Sequence, residues 1–94
     1  MEIHKSDIVK STAGRDKEYV FIVLDVQGQF LMLADGKLRK VEKPKRKKIK
    51  HTKLITVVNS PLRDKITNGE QVLNSEIRKT LSRFVAQVTS EDQA

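Results

Sequence analysis

Ninety-four residues with no cysteine, no tryptophan, one tyrosine and three phenylalanines can build a single domain around a modest core. They exclude a disulfide framework, a thiolate nucleophile and a thiolate metal site, a composition that fits a reducing compartment, and the cytoplasm is the expected location. The formal net charge is +7, with 37% hydrophobic and 33% charged residues, which lies within the globular range.

The first element is "DIVKS", short and alternating, read as an edge strand. No window nears the roughly 20 apolar residues of a membrane span, and Met1 to Lys10 holds no apolar run long enough for a signal-peptide core. "YVFIVLDV" follows as a β-branched and aromatic strand, and "QFLMLA" returns after a turn at Gln27-Gly28-Gln29. A period of two puts Val20, Ile22, Leu24 and Val26 on one face of the long strand and Tyr19, Phe21, Val23 and Asp25 on the other. Both faces are largely apolar, so the strand has to be covered on each side, by a barrel interior on one and a helix on the other.

Asp35-Gly36 signals a turn, after which "KLRKVEK" can return as a strand through Leu38 and Val41, ended by Pro44. "KRKK" is expected to resist packing because its like charges repel, and a last strand resumes near Lys53 to Val58. Residues 59 to 73, with Asn59, Pro61, Asn68 and Gly69 as breakers, read as a turn-rich connection wrapping the surface. From about residue 75 to 89 a helix is expected, capped by Asn74 or Ser75, with Ile77, Leu81, Phe84, Val85 and Val88 as its apolar stripe. Arg78, Lys79 and Arg83 lie on the opposite side, and "TSEDQA" is expected to fray. The fold class that results is mainly β: one domain over residues 1 to 94, with a small barrel of about five strands over residues 5 to 58 and a C-terminal helix packed on it.

Catalysis finds little support. His4 and His51 are far apart in the chain, no carboxylate pair sits at a spacing for acid and base roles, and no set of convergent metal ligands is visible, so neither an enzyme nor a cofactor is expected. Gly14, between two strands, suits a positive φ better than phosphate approach, since no phosphate-binding glycine pattern surrounds it. Arg15 and Lys17 in that turn are either solvated charges or part of a positive rim.

The charge distribution carries more information. Residues 37 to 53, "KLRKVEKPKRKKIKHTK", hold ten lysines and arginines against Glu42 alone, whereas the rest of the chain is slightly acidic. Such a run points to a polyanionic partner, nucleic acid or an anionic membrane surface. Interleaving with Leu38, Val41, Ile49 and Leu54 favours a structured patch over a disordered tail. Arg39 and Arg46 suit forked phosphate contacts and the lysines act as point charges, with affinity falling steeply as salt rises. The aromatic residues are all assigned to the core, which favours the shape and backbone of folded RNA over stacking of splayed bases. Charge alone does not separate RNA from double-stranded DNA, but no basic helix for the major groove is apparent. A membrane surface would require a lipidation site or a basic amphipathic helix as second signal, and neither is present.

"DIVKSTAGRDKEYVFIVLDV", a short strand, a glycine loop and a hydrophobic strand, resembles the KOW motif of ribosomal and transcription-associated proteins. The order that follows, "LMLADGKLRKVEKPKRKKIKHTKL" and then "NSEIRKTLSRF", is similar to archaeal and eukaryotic large-subunit ribosomal proteins of the fourteen-e kind and their bacterial relatives. Lys45 to Lys48 match the family's basic run, and His51 with Leu54 approximates the start of its last strand. Two features depart from the pattern: Glu18 stands where the family commonly has glycine, and Thr52-Lys53 separate His51 from Leu54. The resemblance implies an SH3-like barrel that binds RNA, in particular ribosomal RNA, without enzymatic activity or a small-molecule substrate. The contacts implied are Arg15 and Lys17 in the loop, with Arg39, Lys40, Lys43, Lys45, Arg46, Lys47, Lys48, Lys50 and His51 in the basic segment, to which the charge of that segment adds Lys37. The rival expectation is an SH3-like interaction module whose basic run meets an acidic protein.

Overall fold

The computed structural model describes residues 2–93, with side chains described through Phe84. Five strands, β1 (Asp7–Ser11), β2 (Val20–Gln27), β3 (Phe30–Ala34), β4 (Lys45–Lys48) and β5 (Thr52–Val57), are followed by helices α1 (Pro61–Thr67) and α2 (Asn74–Gln93). The strands form one antiparallel sheet in the order β4-β3-β2-β1-β5. β1 therefore sits inside the sheet and is no edge strand; its neighbour on the far side is β5, the last in sequence.

β4 and β5 are the two edges, so the sheet is open and not the closed barrel expected. The three residues between them, Ile49–His51, make a 3-10 turn in place of a hairpin turn, and the strands leave it without a shared ladder. The β2–β3 hairpin closes through Gly28 at φ +61, where the sequence placed its turn.

Both faces of β2 are buried, as its composition requires. Ile8 and Ile22 join Val58, Leu62, Ile66, Ile77 and Leu81 in a cluster between the sheet and the helices. Val9, Phe21, Val23, Leu31 and Leu33 form a second cluster on the opposite face. Each large aliphatic side chain withdrawn this far from water contributes on the order of 1.5–3 kcal/mol. The strict alternation expected along β2 breaks at Leu24, where the register with β3 shifts between Val23 and Asp25. A bulge of this kind adds one residue to one strand and reverses the side-chain parity beyond it. Val26 consequently packs with the Phe21 cluster and not with Ile22.

Three further expectations are corrected. Residues 37–43 make no strand. Asp35 Oδ1 accepts from the backbone N–H groups of Lys37 and Arg39 at 2.9 and 2.8 Å, which occupies donors that a ladder would need. "KRKK" forms strand β4 and buries Lys47, while Arg46 and Lys48 stay exposed, for reasons that belong to the site described below. The connection after β5 contains a helix, because its breakers bracket seven helical residues: Pro61 is at the first turn, Gly69 at φ +72 follows the end, and Leu62 and Ile66 are buried.

α2 begins at Asn74, so that residue is not the cap. Instead Glu76 Oε1 accepts from the N–H of Leu73 at 3.1 Å, one half of a capping box, and its carboxylate also meets Lys65 Nζ at 2.9 Å. Ile77, Leu81 and Phe84 pack on the sheet as their spacing predicts. Val85 and Val88 lie outside the residues whose side chains are described. The helix continues through Gln93, past the fraying point expected at residue 89.

Candidate nucleic-acid interface

The basic segment divides over three pieces of structure: a loop over residues 35–44, the edge strand β4, and the 3-10 turn leading into β5. The loop is tied to α2. Asn74 Oδ1 accepts from the N–H of Val41 at 2.8 Å, Asn74 Nδ2 donates to Glu42 at 2.9 and 3.0 Å, and Arg78 Nη1 donates to the carbonyl of Gly36 at 2.6 Å. The Asn74 hydrogen bonds also hold the Glu42 carboxyl below its ordinary range. Gly36, at φ +78, lies so close that an added Cβ would collide with the backbone carbonyl of Asn74. Glycine is what permits the loop to approach the helix. Lys37, Arg39, Lys40 and Lys43 are exposed along this anchored loop.

On β4 the strand alternation sorts the four cations into two pairs. Leu33 is opposite Lys45 and Leu31 opposite Lys47, whereas Met32 and Phe30 are opposite Arg46 and Lys48. Lys45 and Lys47 therefore share the face of the Leu31 and Leu33 cluster. Lys47 Nζ is 2.9 Å from Asp16 Oδ1 and donates to the carbonyl of Ala13 at 2.9 Å, with its side chain only 8% exposed. Lys45 Nζ lies 3.1 Å from Asp16 Oδ2. Ser11 Oγ completes the arrangement by donating to Asp16 Oδ1 at 2.7 Å. Burial acts to raise the Asp16 pKa, but hydrogen bonds from Ser11, Lys47 and Lys45, with the charge of Lys47, outweigh it and hold the carboxyl well below the usual range. This buried carboxylate lets a run of four cations pack as a strand.

Arg46 and Lys48 take the other face and are exposed, the Arg46 guanidinium stacking 3.7 Å from the centroid of the Phe30 ring. An arginine held over an aromatic face keeps its donors directed outward at reduced conformational freedom. In the 3-10 turn Lys50 is exposed and His51 half-buried; the carbonyl of His51 accepts from Thr12 N–H at 2.9 Å, which joins the turn to the end of β1.

The glycine loop completes the site. Gly14 takes φ +85, as its position implied, and Glu18 takes φ +77. The residue that stands in place of glycine thus adopts glycine-like geometry, held by hydrogen bonds from Glu18 N–H to Ser11 O at 2.8 Å and from Ser11 N–H to Tyr19 O at 2.9 Å. Arg15 and Lys17 project from this turn, exposed on either side of the buried Asp16.

The structure brings Arg15, Arg39 and Lys45 together around one shallow cavity of about 350 Å³ that Tyr19 and Leu38 also line. Lys48 and Lys50 meet at a second, with Gly28, Gln29 and Ile49. Lys17, Lys37, Lys40 and Lys43 line neither. Sequence reasoning overlooked Asp16, an acid between two bases in a loop, whose partners lie about thirty residues downstream. It also placed Tyr19 in the core, where the structure leaves it 48% exposed, and counted Phe30 as core without its arginine partner.

Among the described residues no group of three potential metal ligands converges, and no helix is long and apolar enough to cross a membrane. No family model matches the chain, and no curated protein is significantly similar to it.

Proposed function

We propose that this chain is a non-enzymatic module that docks on the phosphate backbone of structured RNA, in particular ribosomal RNA. Arg46 and Lys48 on the exposed face of β4 act with the loop cations Lys37, Arg39, Lys40 and Lys43, with Lys50 and His51 of the 3-10 turn, and with Arg15 and Lys17. Lys45 and Lys47 take a different role from the one their place in the run suggested. They are positioning residues that clamp the glycine loop to β4 through Asp16, so that the other cations are presented in fixed relation to one another.

One observation carries the reading: a strand composed wholly of cations is held at a sheet edge, with Lys45 and Lys47 sharing one carboxylate on one face and Arg46 and Lys48 displayed on the other. Exposed positive charge on a sheet edge suits a phosphate backbone, and each contact releases condensed counterions. Two features support the resemblance to a KOW domain with an SH3-like fold: the glycine-like φ of Glu18, and a five-strand antiparallel order in which the first strand pairs with the last.

Substituting Arg46 and Lys48 with glutamate reverses two exposed charges without touching the Asp16 cluster. Circular dichroism should remain that of the native protein, while affinity for a structured RNA falls at least tenfold and the slope of log affinity against log salt becomes shallower by about one to two phosphate contacts. Unchanged affinity and slope would refute the proposal. An acidic protein partner instead predicts a complex that forms without RNA and survives nuclease.

A further inference from the structure

The cavity between the glycine loop and the helix-anchored loop combines two features that plain phosphate docking does not use. Tyr19 and Leu38 are among the large hydrophobic residues that the fold leaves outside, 48% and 66% exposed, and both line the same cavity. Their backbones are fixed. Tyr19 N–H donates to the carbonyl of Asp16 at 2.9 Å, and the loop bearing Leu38 is crossed by hydrogen bonds from Asp35 and Gly36 N–H to the carbonyl of Arg39 at 2.9 and 3.1 Å. Around this apolar floor stand Arg15, Arg39 and Lys45; Asp16 also lines it, but its carboxylate is already held by Lys45 and Lys47.

A flat aromatic and an aliphatic side chain, framed by cations at 350 Å³, match the parts of one nucleotide: a base with a π-face and no charge, joined to an anionic phosphate. We infer that the Tyr19–Leu38 cavity receives a single unpaired base, flipped from a bulge in a stem of the bound RNA, with Arg15 and Arg39 on its flanking phosphates. The inference rests on the RNA-binding role proposed above and adds to it a preference for RNA that offers an unstacked nucleotide. A continuous duplex keeps its bases stacked and presents only its backbone, so it engages the cations and leaves the cavity empty.

The protein carries its own probe, since Tyr19 is its only tyrosine and it has no tryptophan. Tyrosine fluorescence is titrated with two hairpin RNAs of equal length, one fully paired in its stem and one with a single-nucleotide bulge, both closed by the same tight loop. Stacking on the ring should quench emission with the bulged hairpin, which should bind roughly 10- to 100-fold more tightly than the paired one. Followed by filter retention of the labelled hairpins, because these variants lack the tyrosine probe, Tyr19→Ala should remove that preference and Tyr19→Phe retain it. Leu38→Asp, at an exposed loop position, should remove it by a route that does not disturb the β2 backbone.

Equal binding of the two hairpins by the native protein and by Leu38→Asp overturns the base site and leaves the backbone-docking role standing. Failure of the native protein to bind either hairpin overturns both. Quenching by a poly-glutamate peptide, in the absence of any response to RNA, would assign the cavity to an acidic protein partner and overturn both as well.

Discussion

Replacing Asp16 with asparagine tests whether β4 depends on a buried charge to fold. The substitution keeps the shape of the side chain and an oxygen able to accept from Ser11 Oγ, so what it removes is the negative charge. Lys45, with its side chain 27% exposed, can turn toward water; Lys47, at 8%, cannot, and is left with the Ala13 carbonyl as its acceptor. Removing one partner of a buried pair costs about 3–5 kcal/mol, because the remaining charge stays desolvated and uncompensated. For a chain of 94 residues, total stability is on the order of 5–14 kcal/mol. The variant should therefore lose a large share of it, and Tm should fall by at least about 12 °C. Urea denaturation followed by circular dichroism measures the difference. The double variant Asp16→Asn/Lys47→Met should recover much of the loss, since a paired charge exchanged for an apolar side chain is often neutral. A loss below about 1 kcal/mol for Asp16→Asn, or no recovery in the double variant, would refute the clamp.

The same carboxylate sets an acid limb. Its folded pKa lies below the ordinary value of 3.8, so its stabilisation is fully present above that pH and is lost as pH falls from there toward the folded value. The native protein should lose stability more steeply below about pH 4 than Asp16→Asn does, which parallel urea titrations at pH 7 and pH 3 would show. Gly36→Ala meets both a positive φ and the Asn74 carbonyl, and should cost about 2–4 kcal/mol in the same assay while weakening RNA binding through the displaced loop. Ser6→Gly should act in the opposite direction: Ser6 holds φ +75, and its buried Oγ has no partner among the described residues, so its removal should raise stability by about 1 kcal/mol and Tm by several degrees.

Local patterns made much of the sheet legible. Alternation and β-branching located β1, β2, β3 and β5 within a residue or two, and the 3.6-residue stripe located α2. The errors came where a partner remote in sequence changed the value of a residue. β4 was unreadable as a strand because nothing within "KRKK" offsets its repulsion; Asp16 does so from across the fold. Residues 37–43 looked like a strand because the competing acceptor, Asp35, and the anchors Asn74 and Arg78 had no visible connection to them. Val26 changed face because of a bulge at Leu24, which alternation does not reveal. The candidate site shared this fate: its total charge was evident, but not which lysines face inward.

By itself the sequence determined that a small, mainly β domain with a covering helix would carry its positive charge in one segment, because hydrophobic period and net charge are sums over neighbouring residues. Only the tertiary structure decided that Lys45 and Lys47 share the Asp16 carboxylate, that Arg46 and Lys48 are displayed, and that Tyr19 and Leu38 share an exposed cavity between cations. Burial and pairing depend on which distant groups the fold brings within a few ångströms, and in a run of like charges that choice separates a positioning residue from a binding one.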